Sequence, residues 1–118
     1  MDAIIAALRA RIVRTTVPDA TVTLEGGVVR APMEKSAASA RLVAWGQEAA
    51  CALGFAVQDA ATGGGSDANN TAALGVPTID GLGPIGGLDH SPHEYITISS
   101  VVPRTAMLAG LIARICRG

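Results

Sequence analysis

Two glycine-rich loops, "TGGGSDANN" at residues 62–70 and "GLGPIGGLDHSPHE" at 81–94, constrain what this chain can fold into more than any other feature. Glycine and proline at that density interrupt regular structure, so each loop must join separate elements rather than lie inside one. The run before each loop is short and apolar, "FAVQ" at 55–58 and "VPTID" at 76–80, the length and composition of a buried strand. A third strand is expected in "EYITIS" at 94–99, where apolar and polar residues alternate, and an extended segment in "ATVTLEGGVVRAP" at 20–32.

Between these runs the spacing turns helical. Ile4, Ile5, Leu8 and Ile12 follow a helical period behind Asp2, and Pro18 closes that stretch. An alanine-rich helix is expected over 35–53, ended by Gly54 in the usual C-terminal position. A short helix should follow Ser66 or Asp67 as cap and run through Ala72 to Leu74. A last helix should start at Ser99 or Ser100, hold Pro103 in its first turn, and place Met107, Leu108, Leu111, Ile112 and Ile115 on one face. Arg114 and Arg117 then suit the negative end of its dipole. Strands separated by helices or long loops define an α/β chain with a mostly parallel sheet. Ligands in such sheets sit in loops beyond the carboxyl ends of strands, and here those are the two glycine-rich loops.

Composition excludes some functions. A net charge of -1 gives no electrostatic attraction to nucleic acid or to an anionic membrane. One Trp, one Tyr and one Phe make no stacking platform for bases. The apolar run at 3–8 is too short to span a bilayer, and Asp2 sits where a leader carries positive charge, so a soluble, cytoplasmic chain is expected. Cys51 and Cys116 fall in helical patterns, where small buried hydrophobes are expected rather than a disulfide. A mean hydropathy of +0.39 is high for a 118-residue soluble chain, so either alanine is widely exposed or apolar surface is covered by something else.

The chemistry-bearing residues lie in the same loops. Three glycines before Ser66 and Asp67 leave backbone N–H groups free for a carboxylate, phosphate or oxyanion, or else form a plain turn. Both histidines, His90 and His93, stand in the second loop with Asp89 and Glu94 beside them. That is half of a metal site, since zinc takes three or four protein ligands, and His93 reads as a solvated loop residue sooner than as a ligand.

"GGGSDANNTAALGVPTIDGLGPIGGLDHSPHEYITISSVVPRTAMLAGLI" resembles the C-terminal end of the zinc-dependent exopeptidases and deacylases: glutamate carboxypeptidase, acetylornithine deacetylase, succinyl-diaminopimelate desuccinylase and aminoacylase. The glutamate carboxypeptidase branch is the nearest. The likeness is strong over 63–115 and weaker over 21–53. It implies that His90, the histidine of "H-S-P-x-E-Y", is a zinc ligand, and that His93 falls at a variable position. It implies further that Gly64, Gly65 and Ser66 contact substrate while Asp67 serves as a structural cap. Arg30 matches the arginine that grips the substrate's terminal carboxylate, a role suited to a guanidinium fork, although Ala31 stands where relatives often have proline.

The resemblance also implies what should be missing. The family's H-x-D segment, its zinc-bridging aspartate and its Glu-Glu pair do not occur in this sequence, so no catalytic residue is assigned here. Residues 1–32 are expected to be the closing helix and strand of the lid and dimerisation domain, and 33–118 the C-terminal portion of the catalytic domain. The family's full-length enzymes hold two zinc ions, and this chain alone is expected neither to bind zinc tightly nor to hydrolyse a C-terminal amino acid or N-acyl group. The expected partners are a small peptide or N-acyl amino acid, with a second copy or an N-terminal portion completing the enzyme. A non-catalytic oligomeric module and a small anion-binding protein are the alternatives.

Overall fold

The computed structural model describes residues 1–12 and 14–118. It contains α1 (Asp2–Ile12), α2 (Ala37–Ala52), α3 (Ala68–Ala73), β1 (Gly86–Gly87), β2 (Tyr95–Ile96) and α4 (Ile98–Arg117). The helices fall close to where periodicity puts them. The expected continuation of the first helix meets Val13, which lies outside the described residues, and residues 14–16 are not helical.

Ser36 starts α2 in an extended conformation and accepts the Ser39 amide on its hydroxyl at 3.0 Å, as a cap should. Gly54 ends it with φ +84, a left-handed conformation that glycine adopts without steric cost. Thr97, not Ser99 or Ser100, precedes α4, which places Pro103 one turn further in than the sequence suggests.

The core lies where α2 and α4 cross. Ala50, Met107 and Leu111 are its buried apolar residues. The two helices are in contact at Gly46 and Gly110, with room for a methyl group at each: Leu111 Cδ2 lies 3.9 Å from where a Gly46 side chain would begin, and Ala49 Cβ 3.5 Å from the same point on Gly110. Trp45 closes one side, with the Arg114 guanidinium 5.3 Å and that of Arg41 5.9 Å from its ring centre. Of the expected apolar face of α4, Met107 and Leu111 are buried, whereas Ile112 and Ile115 are exposed. The helix is long and apolar enough to cross a membrane by length and composition alone, and here it lays Met107 and Leu111 on α2.

Strand expectations fare differently. Among the described residues the sheet consists of β1 and β2, antiparallel, pairing Gly86 with Ile96 and Gly87 with Tyr95. Residues 20–27, 55–58 and 76–80 join no ladder. Side chains tie two of these runs instead. Gln47 Nε2 donates to the Val57 carbonyl at 3.3 Å, and the Thr78 amide donates to Ser39 Oγ at 3.2 Å. A strand needs a neighbour for its N–H and C=O groups, and without one an apolar run keeps its sequence but not its pairing.

Little of the chain has an interior. Its radius of gyration is 20.0 Å, against about 13.5 Å for a compact domain of this length. Its accessible surface is 9102 Å², against roughly 6,000 Å² for a folded monomer of this mass. The excess is partly apolar: Val29, Leu74, Ile98 and Val102 are each more than two-thirds exposed. Cys51 and Cys116 are exposed free thiols rather than buried hydrophobes, because each sits on a helix face that nothing covers among the described residues.

Candidate functional site

Three separated segments meet around the first glycine-rich loop. Arg30 reaches it from the extended run, with Nη2 3.0 Å from Asp67 Oδ1. The Arg30 Cδ and Nη1 atoms each lie 3.9 Å from where a side chain on Gly65 would begin, so the guanidinium stands over bare backbone. Ser66 and Asn69 form a reciprocal cap on α3: the Ser66 amide donates to Asn69 Oδ1 at 2.9 Å, and Ser66 Oγ accepts the Ala68 amide at 3.1 Å. Asn69 Nδ2 then donates across the chain to the Ala31 carbonyl at 2.8 Å.

The third segment enters at Asp80. The Ser66 hydroxyl, and after it the Gly81 amide, stabilise the Asp80 carboxylate and hold its pKa below the ordinary 3.8, against a smaller opposing effect of partial burial. Arg104 of α4 fixes the following turn, donating from Nε to the Gly83 carbonyl at 2.8 Å and from Nη2 to that of Gly81 at 2.6 Å. The glycine loop is thus wired through Asp80 and Gly81 to the C-terminal helix.

Of the residues singled out in the sequence, Arg30, Gly64, Gly65 and Ser66 therefore fall in one neighbourhood. Asp67 lacks a side-chain capping bond, and its carboxylate faces Arg30 instead. Asn69 and Asp80 escape a motif-based reading, though the Ser-x-x-Asn spacing carries the signal of a capping box with asparagine in place of glutamate or glutamine.

His90 lies apart from that network. It is exposed, with φ +63, and Leu88 nearby has φ +60, so two residues with side chains adopt the left-handed region within one turn. The Ser91 amide donates to the Leu88 carbonyl at 3.1 Å, and the His90 amide to Glu94 Oε2 at 3.3 Å. These bonds brace the backbone of the turn, and neither engages the exposed imidazole. His93 makes its bond through its backbone, to Ser91 Oγ at 3.1 Å. Among the described residues, no group of three His, Cys, Asp or Glu side chains is placed to hold a metal ion. Zinc requires three or four donors, so these residues alone do not fit a zinc centre, and His90 offers one imidazole.

Comparison with curated proteins and with solved structures found no match. The sequence profile described as Peptidase family M20/M25/M40 matches residues 5–114, nearly the whole chain and across both glycine-rich loops. The chain belongs to Peptidase family M20/M25/M40, a family of metal-dependent hydrolases.

Proposed function

We propose that the chain is the C-terminal portion of a zinc-dependent exopeptidase or deacylase, nearest to the glutamate carboxypeptidase branch, and that it supplies the subsite for the substrate's carboxylate. One observation carries this reading: Arg30 stands over the side-chain-free backbone of Gly65, though the two are far apart in sequence. A guanidinium offers paired N–H donors that match a carboxylate, and a glycine backbone leaves room for it to approach. Gly64, Gly65 and Ser66 line the approach, while Asp67 occupies the guanidinium. His90 contributes one imidazole to a metal centre whose other ligands and general base come from outside the described residues. The mostly parallel sheet, the boundary near residue 32 and the cytoplasmic location belong to the same proposal.

The supporting physical argument is the uncovered apolar surface. Val102 at 76% exposure and Ile98 at 75% stand at the start of α4, where a neighbouring layer would cover them. The test is complementation: the chain is mixed with the N-terminal portion of a family member and assayed on an N-acyl amino acid and on a peptide ending in glutamate. Hydrolysis that appears only in the mixture and disappears with Arg30→Ala supports the reading. Absence of hydrolysis across a range of metals sinks it.

The exposed faces favour one alternative, a non-catalytic assembly module. Sedimentation distinguishes the two, because a stable homo-oligomer that gains no activity on complementation belongs to the alternative.

A further inference from the structure

The side-chain amide of Asn69 does two jobs that the proposed function does not use. Its oxygen accepts the Ser66 amide at 2.9 Å and completes the cap of α3, and its nitrogen donates to the Ala31 carbonyl at 2.8 Å. Glutamate or aspartate at this position could cap but not donate, and serine or threonine would be too short to bridge both groups. Ala31 is half-buried and adjoins Arg30, so the tether fixes the backbone one residue from the guanidinium. Without it, the Arg30 segment reaches the glycine loop through the Arg30–Asp67 pair, in which Asp67 is 91% exposed. Exposed ion pairs hold geometry poorly, whereas a neutral bond between two half-buried groups defines it.

We propose that Asn69 is the positioning residue for Arg30: its amide locks the chain at Ala31 to the glycine loop and so presents the guanidinium over Gly65 for a carboxylate ligand. This rests on the reading of Arg30 as the carboxylate grip. The experiment is an NMR study of the 118-residue chain with N-acetyl-L-glutamate as probe, comparing wild type with Asn69→Asp, Asn69→Gln and Arg30→Ala. Asn69→Asp keeps the acceptor that caps α3 and removes the donor to Ala31.

In wild type, the probe shifts the Arg30 side-chain N–H and the Gly65 amide along one saturable curve. In Asn69→Asp, the Ser66 amide keeps its protection, Arg30 and Ala31 become as mobile as a free loop, and probe affinity falls about tenfold, the worth of one well-placed hydrogen bond. Asn69→Gln, which retains both functions on a longer arm, recovers part of the loss. Unchanged Arg30 mobility together with affinity within about twofold in Asn69→Asp overturns the proposal. Equal probe response in wild type and Arg30→Ala removes the carboxylate reading, while release of Arg30 in Asn69→Asp still establishes the tether.

Discussion

The Ser100 hydroxyl accepts the Ile85 amide at 2.9 Å and donates its own hydrogen bond to the Thr97 carbonyl at 2.6 Å. Ser100 is buried at 5% exposure, and the Thr97 amide returns a bond to the Ile85 carbonyl at 2.7 Å, so the start of α4 and the residue leading into β1 are locked in both directions. Ser100→Ala leaves the Ile85 amide without its acceptor, a loss worth about 1–3 kcal/mol. Amide exchange at Ile85 should accelerate by at least about fivefold, measured by NMR, with α2 unaffected.

Gly86 tolerates no side chain. A Cβ there would meet the Tyr95 carbonyl oxygen at 2.5 Å, which is backbone and has no rotamer to yield. Gly86→Ala should therefore open the β1–β2 pairing and release the turn that carries His90. Loss of the cross-strand nuclear Overhauser contact between residues 86 and 96 is the expected sign, and a retained contact refutes the account. Gly110→Ala is the control, since Ala49 Cβ lies at 3.5 Å, an ordinary contact distance, and alanine favours the helix.

Asp80 predicts a pH dependence. Its pKa in the folded chain lies below the ordinary 3.8, so its contribution to stability is fully present above that value and is lost as the pH falls from 3.8 through the lowered value. Carboxyl-carbon NMR titration should show the depressed midpoint, and Ser66→Ala, which removes the largest cause, should move it back toward 3.8.

Asp67 competes with any carboxylate for Arg30. Asp67→Asn should leave stability nearly unchanged, because exposed pairs are worth at most about 1 kcal/mol. Calorimetry should find affinity for N-acetyl-L-glutamate raised by about twofold to fivefold, the factor that so weak a competitor can impose. A fall in affinity would instead make Asp67 part of the orienting machinery.

What was legible in the sequence were the elements that carry their own hydrogen bonds. The helices α2 and α4 close their backbone bonds internally, so periodicity, with Gly54 as terminator of α2, locates them within a few residues. The strands depend on partners, and "FAVQ" and "VPTID" have the composition of strands while pairing with nothing among the described residues. Cys51 and Cys116 mislead for the same reason, because a helical pattern shows that a face exists but not that anything lies on it. Within the site, Arg30 and Gly64 to Ser66 were found by resemblance. Asn69 and Asp80 were not, because their roles rest on bonds to Ala31 and Ser66 that no linear spacing displays.

The described residues form a body of 65 × 37 × 17 Å. At 17 Å the short dimension is little more than one helix with its side chains laid beside a second, so nearly every residue already borders solvent. Unfolding exposes surface that is largely exposed beforehand, and both the heat-capacity change and the slope against urea scale with newly exposed area. A calorimetric scan of this chain by itself should accordingly trace a broad, shallow rise in place of a peak, with the crossing of α2 and α4 the last part to let go.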